Sequence, residues 1–83
     1  MAHHKSAKKR IRQDLIKRLR NRYYKKSTRT SIMKLREMTD KLEASTYLPK
    51  VISLIDKLAK RNLWHKKKAS NLKSSLMKKV AHL

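Results

Sequence analysis

The stretch LAKRNLWHKKKASNLK, Leu58 to Lys73, decides how this chain folds. It begins as the last turns of an amphipathic pattern, meets Asn62, passes Trp64 and His65, and runs into Lys66, Lys67 and Lys68. The chain has no glycine and one proline, so the reversal has to be made by some other residue. After glycine, asparagine enters the left-handed conformation most readily. Asn62 is therefore predicted to close one helix. A further helix, Lys66 to His82, then returns antiparallel across the short connection, with Ala69, Leu72, Leu76 and Val80 on one face.

Upstream of the turn, Leu48, Val51, Ile52, Ile55, Leu58, Ala59 and Leu63 follow the i, i+3, i+4, i+7 spacing of a helix that buries one side. Ser45 or Thr46 is read as its N-cap, with Pro49 in the first turn, where a missing amide donor costs nothing. The segment before it, Ser6 to Ala44, contains no helix breaker and as one helix would run for close to 60 Å. Its apolar residues fall into two sets: Ile11, Leu15, Leu19 and Tyr23 at steps of four, then Ile32, Leu35, Met38 and Leu42. Between them lies KKSTRTS, Lys25 to Ser31, without an apolar residue. The expectation is an all-α, three-helix bundle in one domain, residues 1–83. A basic rod, residues 1–31, projects from a bundle core, residues 32–83, and leaves its own stripe partly uncovered.

Charge divides the chain in the same way. The 83 residues carry 25 Lys and Arg against 5 acids, a net charge of +20. Residues 1–36 hold 14 of the cations and one acid, Asp14; residues 37–60 hold four of each sign; residues 61–83 hold seven cations and no acid. In the neutral middle, Glu37–Lys41 and Asp56–Lys60 have the favourable i, i+4 order. In the rod the i, i+4 pairs Lys8–Arg12, Arg18–Arg22, Arg22–Lys26 and Lys25–Arg29 repel. On a helical wheel Lys17, Arg18, Arg20, Arg22, Lys25 and Lys26 point to most sides of the axis, which suits enclosure by several phosphate backbones. Self-repulsion and an uncovered stripe predict that the segment before about Ser31 frays until a polyanion covers it.

A charge run is ordinarily a solvated face. Here acids are missing at both ends, which favours nucleic acid as partner, held by counterion release and steeply sensitive to salt. No apolar run exceeds two residues, so neither a membrane span nor a secretory signal is present in the sequence given. A cytoplasmic location is expected, since there is no cysteine for disulfides or thiolate metal sites. Four scattered histidines, His3, His4, His65 and His82, do not make a zinc site. With five carboxylates, no thiol and no Gly-rich loop, the chain is read as a non-enzyme without cofactor or metal. Trp64 is assigned to the edge of the core in preference to base stacking. Tyr23 and Tyr24 are candidates for ribose or phosphate contact. His65 is either a phosphate or base contact, or a backbone cap for the last helix.

The string KSAKKRIRQ, Lys5 to Gln13, followed by Asn21, Arg29-Thr30, Ile32 and Lys34, resembles the bacterial small-subunit ribosomal protein S-twenty family at matching spacings. So do Ile55-Asp56, Ala59, the turn at Asn62, Leu63-Trp64-His65, Lys66, Ala69, Lys73 and Leu76, which extends the similarity over nearly the whole chain. The chain departs from the family pattern at Asn62, where a turn glycine is usual, at Lys67, where Asn is common, and at Asn71, where Arg is common. The resemblance implies a three-helix protein that binds 16S ribosomal RNA directly in the body of the small subunit. Its long first helix would be wedged between RNA helices, and it would act in assembly and support. By matching position the RNA contacts implied are Lys5, Ser6, Lys8, Lys9, Arg10, Asn21, Arg29, Lys34, His65, Lys66 and Lys73. Charge alone adds Arg12, Arg18, Arg22, Lys25, Lys26, Lys67 and Lys68. Neighbouring ribosomal proteins are further candidate partners, and no membrane or homo-oligomer is expected. The competing readings are a small DNA-compacting protein and a basic helix on an anionic membrane. The first would carry a dimer interface or groove-entering arm, the second a broad apolar face.

Overall fold

The computed structural model describes residues 2–83, which form three helices: α1, Ala2–Glu37; α2, Lys41–Lys60; and α3, Lys66–Ala81. With extents of 63 × 21 × 14 Å and a radius of gyration of 17.5 Å, the molecule is far longer than a compact chain of its size, for which about 12 Å is expected. The excess length is α1. All side chains from His4 to Arg20 are exposed, and burial on α1 begins only with the half-buried Asn21 and Tyr24 and the fully buried Thr28.

The core joins Ile32 and Leu35 of α1, Ala44, Val51, Ile55 and Leu58 of α2, Trp64 of the turn, and Ala69, Leu76 and Val80 of α3. It is narrow, and half-buried Tyr24, Met38, Tyr47, Leu48, Ala59, Leu63 and Leu72 seal its edges. Helices α2 and α3 lie antiparallel, and Lys73 Nζ reaches Asp56 Oδ1 at 2.8 Å between them.

The turn is built as Asn62 predicts. Its φ is 60°, the one positive value among the described residues. Its amide donates to Ala59 O at 3.1 Å, and the Leu63 amide donates to Leu58 O at 2.9 Å. These are the two bonds of a Schellman closure, and the Leu63 side chain packs back on the core as that motif favours. His65 then caps α3, its Nδ1 accepting from the Lys67 amide at 3.1 Å.

Three expectations need correction. First, α1 ends at Glu37, not Ala44. Asp40, which has extended backbone, accepts from the Leu42 amide at 3.1 Å and starts α2. A carboxylate cap at the positive end of a helix satisfies a free donor and the dipole together, so it wins over Ser45 and Thr46. Ala44, read as the end of the first helix, is instead fully buried in α2, and Leu42 is left 76% exposed. Second, Pro49 lies inside α2, where it removes the donor that would bond Ser45 O. Third, the break at residues 38–40 separates Glu37 from Lys41, and Asp56 pairs with Lys73 in place of Lys60. The first helix, α1, runs unbroken from Ala2. Lys, Arg, Leu and Gln all favour the helix, so repulsion acts on the stability of this half without dictating another conformation.

Asn62 offers a direct check. Asn62→Gly is expected to fold with unchanged stability to within about 1 kcal/mol, whereas Asn62→Val, a β-branched residue forced to positive φ, should lose about 1–2 kcal/mol or more in urea unfolding.

Candidate nucleic-acid interface

The end of the bundle formed by the α2–α3 turn abuts α1 near its middle, and that junction gathers the cations. Trp64 is the centre of it. The ring is 5% exposed, with the Arg29 guanidinium 5.9 Å from its centroid and Lys68 Nζ 4.5 Å from it. One aromatic side chain thus draws a cation of α1 and a cation of α3 to the same place. On the neighbouring face Arg61, the C-cap of α2, lies 4.6 Å from the Tyr24 ring. Toward the other end of the bundle, near the α1–α2 connection, Lys34 Nζ lies 5.5 Å from the Tyr47 ring.

Aromatic faces here do what carboxylates do in a balanced protein. Among the described residues the one ion pair is Lys73–Asp56, whereas four cation–aromatic contacts hold Arg29, Lys34, Arg61 and Lys68. Each is worth about 0.5–1 kcal/mol at an exposed site and leaves the cation's full positive charge available to an external anion. Asp14, the one acid among residues 1–36, makes no ion pair among the described residues.

The indole Nε1 of Trp64 is buried and has no acceptor. That agrees with the core-edge reading of the sequence, because a side chain this enclosed cannot offer its face to a base. His65 also resolves. With Nδ1 accepting from the backbone, its ring proton sits on Nε2, which leaves a single exposed donor beside Lys66, Lys67 and Lys68. The backbone cap and an outward donor are compatible in one residue.

The other candidates divide by position. Lys5, Ser6, Lys8, Lys9, Arg10, Arg12 and Arg18 stand exposed on the projecting half of α1. Asn21, Arg22, Lys25, Lys26 and Arg29 lie where Leu63 of the turn meets α1, around an open concavity that they share with Arg18. His65, Lys66, Lys67 and Lys68 occupy the start of α3 beside it. Lys73 differs from the rest in being half-buried and ion-paired, and Lys34 is held against Tyr47. Sequence reasoning missed Arg61, although its place next to the left-handed Asn62 was a signal that it would emerge at the turn. Among the described residues no group of three or more His, Cys, Asp or Glu could hold a metal ion, and no helix is long and apolar enough to cross a membrane.

A long, highly basic helix carried on a small three-helix bundle defines the class of protein as a helical one with a basic arm, and comparison with known proteins narrows it. Residues 2–81 match the family described as Ribosomal protein S20, and the chain belongs to that family. The small ribosomal subunit protein bS20 of Christiangramia forsetii is 61% identical over 83 residues, which is all of both chains. That of Flavobacterium johnsoniae is 58% identical over 83 residues, again all of both, and that of Bacteroides fragilis 57% over 76 residues, 92% of this chain and 90% of its own. The family is one of structural ribosomal proteins, not enzymes.

The different settings of the cations predict different responses to salt. Arg18→Gln should reduce the slope of log K against log salt for RNA binding by about 0.7–0.9, one phosphate's share, while Lys73→Gln should leave the slope unchanged because Asp56 already neutralises that lysine.

Proposed function

We propose that this chain is a structural component of the small ribosomal subunit that binds 16S ribosomal RNA directly and supports subunit assembly. It does so by neutralising phosphates between packed RNA helices. One observation carries the reading: every side chain from His4 to Arg20 is exposed, on a helix with cations around its circumference and no ion pair of its own among the described residues. Such a rod gains from phosphates on several sides at once and little from a single docking face. The names of its relatives, each a small ribosomal subunit protein, support the same assignment.

The division of labour follows from the fold. The bundle, residues 32–83, fixes the angle and position of α1, and its turn end adds His65, Lys66, Lys67 and Lys68 beside the exit of the rod. Residues 1–31 enter the RNA. Because A-form RNA conceals its major-groove edges from side chains, recognition rests on shape, phosphate position and 2′-hydroxyls. Lys5, Ser6, Lys8, Lys9, Arg10, Arg12, Arg18, Asn21, Arg22, Lys25, Lys26 and Arg29 are the contacts proposed on the rod. Lys34 is proposed as an auxiliary cation, whereas Lys73, paired with Asp56, serves to hold α2 to α3.

Filter binding and sucrose-gradient co-sedimentation with a 16S transcript test the reading. Expected are retention that survives excess duplex DNA competitor, and a log K against log salt slope of about −5 or steeper, the signature of six or more phosphates neutralised. Equal competition by duplex DNA would assign the chain to general nucleic-acid compaction instead.

A further inference from the structure

The α2–α3 turn leaves a concavity of about 370 Å³ lined by Ala59, Asn62, Trp64, His65 and Lys66. Ala59 and the enclosed Trp64 make its apolar floor, and the exposed Asn62, His65 and Lys66 its polar rim. Glycine would take the φ of 60° at Asn62 without steric cost, so the turn alone gives no reason for a side chain there. The carboxamide that asparagine adds to the rim carries both a donor and an acceptor. With Arg29 and Lys68 over its ring, Trp64 meets the concavity by an edge. Its Nε1 is the one buried side-chain polar atom among the described residues without a hydrogen-bond partner. A donor left so costs about 1–3 kcal/mol, which an acceptor brought by a ligand recovers.

The concavity opens at the positive end of α3. His65 Nδ1 takes the Lys67 amide and His65 O the Ala69 amide, which leaves the amides of Lys66 and Lys68 without an intrahelical acceptor. Those amides and the Lys66 side chain suit a phosphate. A phosphate by itself has no use for the apolar floor or for the Asn62 carboxamide. A nucleobase has: it is planar, apolar on its faces, and carries donors and acceptors along its edge. Asn62 matches such an edge, and His65 Nε2 and Trp64 Nε1 add donors to it. Paired bases in a helix have their edges engaged, so the nucleotide that fits here is one splayed out of a loop or bulge.

We propose that the α2–α3 turn holds one unstacked nucleotide of the RNA, its base in the concavity against Asn62 and its phosphate at the start of α3. The proposal rests on the RNA-binding reading above and adds to it a contact with a base, where the rod engages phosphate and shape. It also gives the bundle end a share in choosing the site, since only an RNA with an unpaired nucleotide in reach of the turn satisfies Asn62.

The test compares the full chain with its Asn62→Gly variant, which keeps the left-handed turn and every cation and removes only the carboxamide. Circular dichroism and melting of the two should agree. Base-specific chemical probing of a 16S transcript reads the Watson–Crick edges, hydroxyl-radical probing reads the backbone, and filter binding reads affinity. Wild type should protect the edge of an unpaired base. Asn62→Gly should lose that protection, keep the backbone footprint, and bind about tenfold more weakly, the loss expected from one good base contact. Its salt slope should be that of wild type, because no cation is removed, whereas Lys66→Gln should flatten the slope by about 0.7. Unchanged affinity and unchanged base protection in Asn62→Gly would overturn the proposal while leaving direct RNA binding standing. A wild-type footprint confined to riboses and phosphates would overturn it too, since the turn would then touch backbone alone. A wild-type chain that fails to bind the transcript would overturn the underlying reading and the proposal with it, and the wild-type arm shows which has failed.

Discussion

Mutual repulsion among 25 cations, opposed by only 5 acids, is the constraint to which every part of this structure answers. A chain of this size buries only about 60% of its unfolded surface and has little stability to spare. The charge is therefore not spread evenly. Four acids sit in residues 37–60, where the bundle has to close, and the projecting half of α1 is left with Asp14 alone. Cohesion and charge occupy different segments, so the core forms without the partner and the rod keeps its field for the partner.

At the junction of the two segments neither arrangement suffices, and aromatic rings take over. Trp64 touches Arg29 and Lys68, while Tyr24 carries Arg61, so cations of all three helices are fixed beside the turn without being neutralised. Replacing these contacts by salt bridges would hold the side chains equally well and cancel the charge that RNA needs. The single inter-helix ion pair, Lys73–Asp56, lies instead between α2 and α3.

Much of this was legible in the residues. Leu58 to Lys73 contains the turn, its left-handed Asn62 and the start of α3, because a chain without glycine has few other ways to reverse. The spacing of Val51, Ile55 and Leu58 and of Ala69, Leu76 and Val80 is regular enough to name the core. The α1–α2 boundary was misjudged because three candidate caps, Asp40, Ser45 and Thr46, lie within seven residues and a proline follows them. The carboxylate's fit to the helix dipole and the burial of Ala44 together decide for Asp40. Thr28 was invisible for a related reason: a small polar residue inside KKSTRTS gives no hydrophobic signal, yet closeness to the bundle requires a small side chain there. At the interface the charges were readable one by one, whereas the pairing of Arg29 and Lys68 through Trp64 depends on how the helices meet.

The central claim is that the rod and the bundle draw their stability from different sources, the rod from surrounding RNA and the bundle from its own core. Amide hydrogen exchange of the full chain, free and bound to 16S RNA, measures this residue by residue. The account predicts that amides of residues 5–26 exchange quickly in the free protein and slow by orders of magnitude on binding, while those of Val51 to Leu58 are already protected and change little. Rods equally protected with and without RNA, or protection gained in α2 in place of α1, would contradict it.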